Sequence, residues 1–351
     1  MTDSMKKGDL ALVTGVSGYL ASWLAKDLLA RGLRVRGTIR SLNDAEKVGV
    51  LNRLLPGIEL CAADLRSSAG WNEAVAGARW VFHVASPQAV PSETDRTGGA
   101  VEGTEHLLRA AFASPSVQKI VVTSSEAAVA YGHPRTKQYF TEDDWTVLDG
   151  PTGGIDYMRS KTLAERRAWA LAADLGVNPR NVPVSTINPS FIAGPSLVPW
   201  GRYSLETLRG IAEGRTRILP DLESRVVDVR DCARMHVAVM NDPSSNGHRH
   251  LCFAAQARMS DFAGFIRGEY AELGFSPEPC ILSARSARLL SMVSRDVAGM
   301  YSRIGASSVY ETKYPTVYRY EHTDLAAILR DSMESMLAHG WLKPVAEAHA
   351  A

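Results

Sequence analysis

Short apolar runs alternate with amphipathic stretches along the first half of the chain. Residues 10–13 form one apolar run, residues 14–21 turn it into an amphipathic stretch that stops at Arg31-Gly32, and residues 33–39 form a second strand-like run. Short apolar runs are typical of buried strands, whereas apolar residues spaced by three and four positions are typical of helices. Further strands are predicted at 58–63, 80–85, 119–122 and 182–187, and further helices at 71–76, 104–112 and 157–175. This alternation predicts an α/β fold, a Rossmann-type doubly wound parallel sheet with right-handed crossovers.

The alternation weakens after Pro189. Segments rich in proline and glycine separate the helix-like stretches at 205–213, 232–240, 260–273 and 325–337. We therefore predict a dinucleotide-binding Rossmann domain over residues 8–189. A smaller, mostly helical substrate lobe is predicted over residues 190–343, with some of its segments returning to the first domain. The alanine-rich residues 344–351 are predicted to be a frayed tail.

The composition excludes several classes of partner. The formal net charge is +1, with 45% hydrophobic and 22% charged residues. This charge gives no reason to expect nucleic acid or an anionic membrane as a partner. The four cysteines are scattered without metal-ligand spacing, so no metal site is predicted. The first apolar run is too short for a signal peptide or a membrane span, and we expect a cytoplasmic monomer or homodimer that acts on small molecules.

A glycine-containing turn follows the first predicted strand and opens the first predicted helix. Gly15 permits a tight turn, Gly18 lets the backbone approach a pyrophosphate, and Ala21 lets the helix pack closely on the strand. The start of the helix offers free N–H groups and the positive end of the helix dipole to phosphate. The residues predicted to bind phosphate in this turn are Gly15, Ser17, Gly18, Tyr19 and Leu20.

The end of the second predicted strand indicates which dinucleotide binds. An acidic residue about 20 positions after the glycines would select NAD by binding the ribose hydroxyls. The chain has Arg40 at this place, and Lys47 follows on the next predicted helix. Since a guanidinium pairs with a 2′-phosphate, we predict NADPH/NADP+ as the cofactor.

Tyr157 and Lys161 are four residues apart on one face of a predicted helix. A nearby ammonium favours the phenolate form of a tyrosine, which allows the tyrosine to exchange a proton at neutral pH. Ser125, which follows a predicted strand, could hold a carbonyl oxygen by a hydrogen bond as charge develops on it. The spacing of the tyrosine and the lysine is weak evidence alone, but its place downstream of a dinucleotide turn makes it stronger.

Taken together, the glycine turn, Asp64-Leu65, Ser125 and the Tyr157/Lys161 pair resemble the extended short-chain dehydrogenase/reductase family. Within that family, residues 35–40, 82–87 and 160–165 resemble the NADPH-dependent carbonyl and aldehyde reductases, relatives of dihydroflavonol and cinnamoyl-CoA reductases.

The resemblance implies a cofactor contact for several further residues. Asp64 and Leu65 would contact adenine, Ala85 and Ser86 the ribose region, and Pro189 and Ser190 the nicotinamide amide. The set of implied cofactor-binding residues is completed by Val84, Thr123, Tyr157, Lys161 and Ile192.

The substrate pocket is predicted between the strand ends and the C-terminal lobe. Its candidate lining residues are Ser86, Glu126, Tyr131, Phe191, Trp200 and Tyr203. Glu126 stands where the relatives usually carry a small or hydroxyl residue, and it either points into solvent or places a carboxylate at the mouth of the pocket. His83 is expected to be a hydrogen-bonded core histidine.

The preferred functional hypothesis is NADPH-dependent reduction of an aldehyde or ketone to an alcohol, with Tyr157 as the proton donor. One alternative is an NAD-dependent nucleotide-sugar epimerase or dehydratase, or a hydroxysteroid-type dehydrogenase, although Arg40 argues against an NAD enzyme. A second alternative is a non-catalytic dinucleotide sensor on the same fold. The complete Ser125, Tyr157 and Lys161 set argues against a sensor, which has no need of it.

Overall fold

Seven parallel strands form the central sheet of the computed structural model, which describes residues 4–87, 96–149, 156–200, 204–315 and 321–344. The seven strands are β1 (Leu10–Val13), β2 (Arg34–Ile39), β3 (Glu59–Ala62), β4 (Trp80–His83), β5 (Lys119–Thr123), β7 (Val184–Pro189) and β11 (Arg249–Cys252). The order of these strands across the sheet is β11-β7-β5-β4-β1-β2-β3, and every neighbouring pair is parallel. This is the doubly wound order, with its switch point between β1 and β4.

Helices cover both faces of this sheet. The helices up to β11 are α1 (Tyr19–Ala30), α2 (Ala45–Leu54), α3 (Trp71–Val75), α4 (Arg96–Ala113), α5 (Asp156–Ala173), α6 (Leu205–Ala212) and α7 (Val229–Asn241). Alternate residues of β1 point to opposite faces of the sheet and pack in the two helical layers that cover these faces, because side chains alternate across a strand. Ala11 and Val13 pack in the layer of α1 and α7, whereas Leu10 and Leu12 pack in the layer of α3, α4 and α5.

The predicted elements of the first half of the chain agree with the observed ones to within about two residues, except that the helix predicted at 104–112 begins earlier, as α4 at Arg96. The strand at 10–13 is observed as β1, and the helix predicted at 157–175 is observed as α5. The seventh strand, β11, comes from the predicted substrate lobe, and α7 from the same region packs beside α1. The sheet therefore uses a segment well beyond residue 189.

The region after β7 contains short sheets as well as helices. Its strands outside the main sheet are β8 (Phe191–Ala193), β9 (Ile218–Pro220), β10 (Glu223–Asp228), β12 (Ala255–Arg258), β13 (Cys280–Leu282) and β14 (Val309–Tyr310). One further short strand, β6 (Tyr139–Phe140), lies in the loop after β5. Its remaining helices are α8 (Met259–Tyr270), α9 (Ala284–Leu290), α10 (Arg295–Met300) and α11 (Leu325–Ala338). The strands pair as β12-β10-β8, β13-β9 and β14-β6, so the last pair joins the C-terminal region to the loop after β5.

Glu165 on α5 is a buried carboxylate that joins four elements of the Rossmann domain. Its side chain is fully buried and is paired with Arg249 of β11, whose Nε lies 2.6 Å from Oε1. Four further side chains donate to the two carboxylate oxygens: Ser124 (2.5 Å), Thr186 (2.9 Å), Asn188 (2.8 Å) and Trp169 (3.3 Å). Because these donors lie on α5, β7, β11 and the end of β5, the carboxylate fixes those elements relative to one another.

Arg249 is itself held on several sides. Its guanidinium donates to the backbone carbonyls of Glu142 (2.8 Å) and Asp144 (2.5 Å), and it lies 3.8 Å from the centre of the Trp145 ring. A buried ion pair offsets the cost of desolvation only when its remaining hydrogen-bonding positions are also filled. In this pair both partners meet that condition.

We expect Glu165→Gln to lower the free energy of unfolding by about 3–5 kcal/mol, since it leaves the buried Arg249 charge without a counter-ion. Glu105→Gln is the matched control. Glu105 is likewise an ion-paired glutamate, with Arg109 and Arg167 as its partners, but its side chain is 25% exposed. We therefore expect Glu105→Gln to lower the free energy of unfolding by about 1 kcal/mol or less. Urea unfolding of both variants measures the difference, and equal losses would contradict the importance of the buried pair.

Stability is expected to fall on the acid side of neutrality because of three buried histidines. Burial lowers the pKa of His83 to about 3 and the pKa values of His236 and His250 to about 4. In the unfolded chain histidine takes up a proton near pH 6.5, so the unfolded state binds more protons between pH 6.5 and pH 4. Each histidine then removes up to about 1.4 kcal/mol of stability per pH unit as the pH falls through this window.

Unfolding free energies measured from pH 7 to pH 4.5 test this expectation. His250→Asn removes one of the three histidines. Below pH 6, the slope of the unfolding free energy against pH should therefore be smaller in this variant by up to about 1.4 kcal/mol per pH unit. A parent stability that stays constant over this range, or a His250→Asn slope equal to that of the parent, would show that these histidines titrate normally.

Candidate active site

Thr14, the residue after β1, joins the carboxyl ends of β1 and β4. Its Oγ1 accepts hydrogen bonds from the backbone N–H groups of Val84 (3.0 Å) and Ala85 (2.9 Å), and it lies 3.0 Å from Nδ1 of His83. Because this oxygen already accepts two N–H groups, it directs its own proton at His83. The hydroxyl thereby holds Val84 and Ala85 beside the glycine turn.

The glycine turn is packed too tightly for side chains at its first glycine. Gly15 has a φ of +65°, and a Cβ atom placed there would lie 3.0 Å from Cβ of Ala85. Its N–H donates to Oγ1 of Thr38 on β2 (2.9 Å), and Gly18 donates back to the Gly15 carbonyl (2.8 Å). Gly18 precedes α1 without any side-chain cap, so the first-turn N–H groups of α1 are left to a ligand or to solvent.

Two predicted cofactor residues have their hydroxyls engaged elsewhere. The Tyr19 hydroxyl donates to the carbonyl of Gly194 (2.7 Å), and the Thr123 hydroxyl lies 2.8 Å from Nε2 of His236. His236 has its Nδ1 at 2.7 Å from the carbonyl of Cys232, so Nδ1 carries the proton and Nε2 accepts from Thr123. Backbone groups, rather than these two hydroxyls, are therefore the groups that Tyr19 and Thr123 can offer to a dinucleotide.

Trp200 lies against the glycine turn. Its Nε1 donates to the carbonyl of Ser17 (2.9 Å), and Nζ of Lys47 lies 5.6 Å from the centre of its ring. Lys47 is also paired with Asp44, the residue that caps α2, at 2.9 Å. The structure thus places Trp200, a predicted substrate-pocket residue, in contact with two predicted cofactor residues, Ser17 and Lys47.

Arg40 is exposed at the end of β2, beside Asp64. Hydrogen bonds from Arg66, with a smaller contribution from Arg40, hold the pKa of Asp64 below its ordinary value. Asp64 accepts from the backbone N–H of Arg66 (3.0 Å), so it stabilises a turn and does not cap a helix. Leu65 follows in the same turn and packs against Gly103 of α4, where a Cβ atom would lie 2.6 Å from the Leu65 side chain.

His83 at the end of β4 is buried and neutral. Because its Nδ1 accepts from Thr14, its proton lies on Nε2, which donates to Oγ1 of Thr104 (3.4 Å). Thr104 in turn donates to the carbonyl of Ala100 (2.9 Å). Burial, with a further contribution from the nearby Lys161, is the cause of the low His83 pKa. The prediction of a hydrogen-bonded core histidine is confirmed.

Ser125 and Tyr157 meet at the end of β5. Ser125 caps a short 3-10 helix at residues 126–128 by accepting from the N–H of Ala127 (3.1 Å). The Tyr157 hydroxyl donates to the same Ser125 oxygen at 3.4 Å, while the tyrosine side chain is 46% exposed. With its oxygen accepting twice, the serine still has its own proton to donate to a third group.

Lys161 is one turn after Tyr157 on α5 and is half-buried. Residues four apart share a face of a helix, so Lys161 lies on the same face of α5 as Tyr157. Its charge contributes to the low pKa of His83 at the end of β4. The structure therefore brings Ser125, Tyr157 and Lys161 to the carboxyl edge of the sheet, beside the switch point, where ligands of such sheets bind.

The segment after β7 leads from the main sheet into the three-stranded sheet β12-β10-β8. Pro189 ends β7, and Ser190 donates to the carbonyl of Cys252 through its N–H (3.0 Å) and its hydroxyl (3.2 Å). Ile192 lies on β8, and the Phe191 ring packs on Phe262 of α8 at a centroid distance of 5.6 Å.

Glu126 does not point into solvent. It is 9% exposed and pairs with Arg303, and Arg303 in turn faces the ring of the half-buried Tyr131 at 5.2 Å. Two other predicted lining residues make different contacts, since Phe191 packs on Phe262 and Trp200 donates to the glycine turn. Ser86 is exposed after β4, and Tyr203 lies outside the described residues.

Sequence reasoning missed Thr14, Arg303 and Tyr310. The signal for Thr14 was its place between a buried strand and the first glycine, where a hydroxyl can hold two strand ends. Arg303 could have been sought from Glu126, because a carboxylate beside a catalytic serine needs a counter-charge when it is buried. Nothing in the sequence indicated which of the 39 lysines and arginines would supply it.

Two surface cavities lie away from this cluster. One of about 480 Å³ lies between α3 and α4, and another of about 590 Å³ lies between α1 and α7. Neither is lined by Ser125, Tyr157 or Lys161. The described ranges contain no group of His, Cys, Asp and Glu side chains arranged to hold a metal ion. Across those same ranges, every helix is too short or too polar to cross a membrane.

Comparison with known proteins places this site in a family. Residues 11–252 match the model of the NAD dependent epimerase/dehydratase family. The chain is 34% identical over 286 residues to a cinnamoyl-CoA reductase of Medicago truncatula, covering 79% of this chain and 85% of that protein. It is 32% identical over 270 residues to a tetraketide alpha-pyrone reductase of Arabidopsis thaliana, covering 74% and 81% of the two chains.

A solved structure shows the same fold over nearly the whole chain. The yeast methylglyoxal/isovaleraldehyde reductase complexed with NADPH superimposes with a TM-score of 0.75 at 20% identity, covering 95% of this chain and 100% of that one. The sequence motifs, the strand order and the length of the match agree. The chain belongs to the NAD dependent epimerase/dehydratase family, that is, to the extended short-chain dehydrogenases/reductases.

Proposed function

We propose that this protein is an oxidoreductase that reduces an aldehyde or ketone to an alcohol with NADPH as cofactor. The observation that carries the proposal is the contact between the Tyr157 hydroxyl and Ser125 Oγ at 3.4 Å, with Lys161 one turn along the same helix. A proton donor, an oxygen-binding hydroxyl and a cation are the groups that carbonyl reduction requires from the protein. The curated relatives described above are named as reductases, which supports this class of reaction.

The residues around the glycine turn fit a dinucleotide. The uncapped start of α1 offers N–H groups to a pyrophosphate, and the lack of room at Gly15 keeps the turn tight enough for close approach. Arg40 and Lys47 would hold a 2′-phosphate, and Trp200 would support Lys47 from the side of the turn. Hydride for the carbonyl carbon is the chemistry that bound NADPH supplies.

The side chains of this protein would handle the proton. Tyr157 donates its hydroxyl proton to the carbonyl oxygen, and Ser125 donates a hydrogen bond to the same oxygen as negative charge develops there. The Lys161 ammonium favours the phenolate that remains on Tyr157. Because His83 is neutral, it adds no second positive charge that would repel this ammonium.

A nucleotide-sugar epimerase or dehydratase is the alternative that the name of the family raises. Such enzymes use the same tyrosine and lysine pair but hold NAD permanently. Arg40 argues against that assignment, because a cation at the end of β2 favours the 2′-phosphate of NADP over the free ribose hydroxyls of NAD. Purified protein that carries NAD and converts a nucleotide sugar would reverse the assignment.

We expect Tyr157→Phe to lower the rate of carbonyl reduction by about 10²–10⁴-fold, because it removes the general acid. NADPH binding should be nearly unchanged, since the variant keeps the ring and the fold. Single-turnover hydride transfer from bound NADPH, followed by absorbance, measures the rate, and fluorescence titration measures binding. Tyr139→Phe, at a tyrosine that is 64% exposed, is the matched control and should retain the parent rate. A Tyr157→Phe variant as fast as the parent would exclude this tyrosine as the acid.

We expect the parent protein to bind NADPH at least about tenfold more tightly than NADH, as one charge-assisted phosphate contact is worth about 1.5–3 kcal/mol. Arg40→Asp should abolish or invert this preference. Arg53→Asp makes the same change of charge at an exposed position in the last turn of α2 and should leave the preference intact. Dissociation constants for both cofactors in the three proteins provide the test, and equal constants in the parent would refute NADPH selection.

A further inference from the structure

A buried polar cluster lies directly beside Ser125 and is built partly from the C-terminal region. Glu126 accepts a hydrogen bond from the Tyr310 hydroxyl. It also accepts from the two terminal nitrogens of Arg303, both of which lie 3.4 Å from Oε1. Arg303 also donates to the Tyr310 hydroxyl (2.8 Å) and to the carbonyl of Ala130 (3.5 Å). We call these three residues, Glu126, Arg303 and Tyr310, the Glu126 cluster.

The Glu126 cluster is too buried to be a surface ion pair. Glu126 is 9% exposed, Arg303 7% and Tyr310 8%, and one carboxylate balances one guanidinium. Buried ion pairs of this kind add little stability over apolar packing, so they are poorly explained by stability alone. They do impose a precise geometry, because each hydrogen bond fixes the direction of the groups that it joins.

The Glu126 cluster orients the ring of Tyr131 as well as the turn that follows Ser125. The Arg303 guanidinium faces this ring at 5.2 Å, and such a contact favours one orientation of the ring. The backbone of Tyr131 is held as well, through its N–H to Oγ1 of Thr146 (3.1 Å) and its carbonyl to the N–H of Val147 (2.9 Å). Tyr131 is therefore a rigid side chain beside the catalytic residues.

Tyr131 is half-buried, and within the described residues its hydroxyl donates no hydrogen bond to a protein group, so its proton can be offered to a ligand. Burial, and then the charge of Glu126, raises the pKa of Tyr131 to about 12, and Tyr157 is close enough to contribute. A phenol of this kind stays protonated over the working pH range. It can donate a hydrogen bond permanently, but it is a poor proton-transfer group.

We propose that Tyr131 donates a hydrogen bond to a second oxygen of the substrate, and that Glu126, Arg303 and Tyr310 are positioning residues that hold Tyr131 for this contact. The inference rests on the proposed reductase function and adds a substrate class to it. Since Tyr157 and Ser125 bind the oxygen that is reduced, a third fixed hydroxyl beside them selects a carbonyl compound with another oxygen acceptor close by. Keto esters have this arrangement, and simple ketones of the same length lack it.

The test compares matched substrates in matched variants. Ethyl pyruvate and ethyl acetoacetate are each paired with a simple ketone of equal chain length, 2-hexanone and 2-heptanone, and kcat/KM is measured for all four. The quantity of interest is the ratio of keto ester to ketone within a pair, because the intrinsic reactivity of the keto ester is the same in every variant. Tyr131→Phe should lower this ratio by about fivefold for at least one pair, the effect of losing one neutral hydrogen bond. Activity on the simple ketones reports any general effect of the substitution on the pocket, and the ratio removes that effect.

Tyr310→Phe tests the positioning role with a conservative change. It removes one hydroxyl from the Glu126 cluster and should lower the same ratio by about twofold to threefold, without changing the rate on simple ketones. Glu126→Gln should have the larger effect of the two but leaves Arg303 without a counter-ion, so its folding is checked by thermal unfolding. Tyr139→Phe, in the neighbouring strand β6, is the control and should leave the ratio unchanged.

The outcomes separate this inference from the proposed function. If the parent reduces all four compounds and Tyr131→Phe changes both members of each pair equally, the second contact does not exist while the reductase assignment stands. If Tyr131→Phe lowers the ratio and Tyr310→Phe does not, the hydroxyl contact stands and the positioning role falls. A parent that binds NADPH and reduces none of the four compounds would remove both proposals together.

Discussion

The buried Glu165 carboxylate is the constraint on which the geometry of this molecule depends. An ionised carboxylate away from water must be paired and hydrogen-bonded, or it becomes a large cost. Here Arg249 and the side chains of neighbouring strands and of α5 meet that requirement. Because Asn188 also donates to the carbonyl of Ser125 (3.1 Å), the same network reaches the proposed catalytic serine. The helix that presents Tyr157 and the turn that presents Ser125 are thus fixed by one charge.

Hydroxyl groups have a similar role on the cofactor side of the sheet. Thr14 holds the end of β4 against β1, and Thr38 holds the N–H of Gly15 against β2. Each is a short side chain whose hydrogen bonds bring two pieces of backbone together at the switch point. The glycine turn obtains its shape from these neighbours as well as from its own glycines, which explains why a small segment can present its N–H groups in a fixed direction.

Patterns that are local in sequence could be predicted well, and contacts that are distant in sequence could not. The run 10–13, the turn at Gly15 and the pair Tyr157/Lys161 each carry their signal within a few residues, and the structure shows the predicted elements around them. Four strands of the C-terminal region, β8, β9, β13 and β14, are only two or three residues long, too short for a clear period. The partner of Glu126 is Arg303, 177 positions away, and no local pattern reveals such a pairing.

The contribution of β11 to the main sheet affects how the chain can be divided. Residues 8–189 contain the glycine turn and the proposed catalytic residues, yet they lack Arg249, which neutralises Glu165. A fragment ending there would expose the edge of β7 and bury a carboxylate without its cation, or else leave α5 detached. The nucleotide-binding half is therefore not an interchangeable module. During synthesis on the ribosome, the sheet can close only after about 250 residues have emerged, which makes its assembly a late and non-local event.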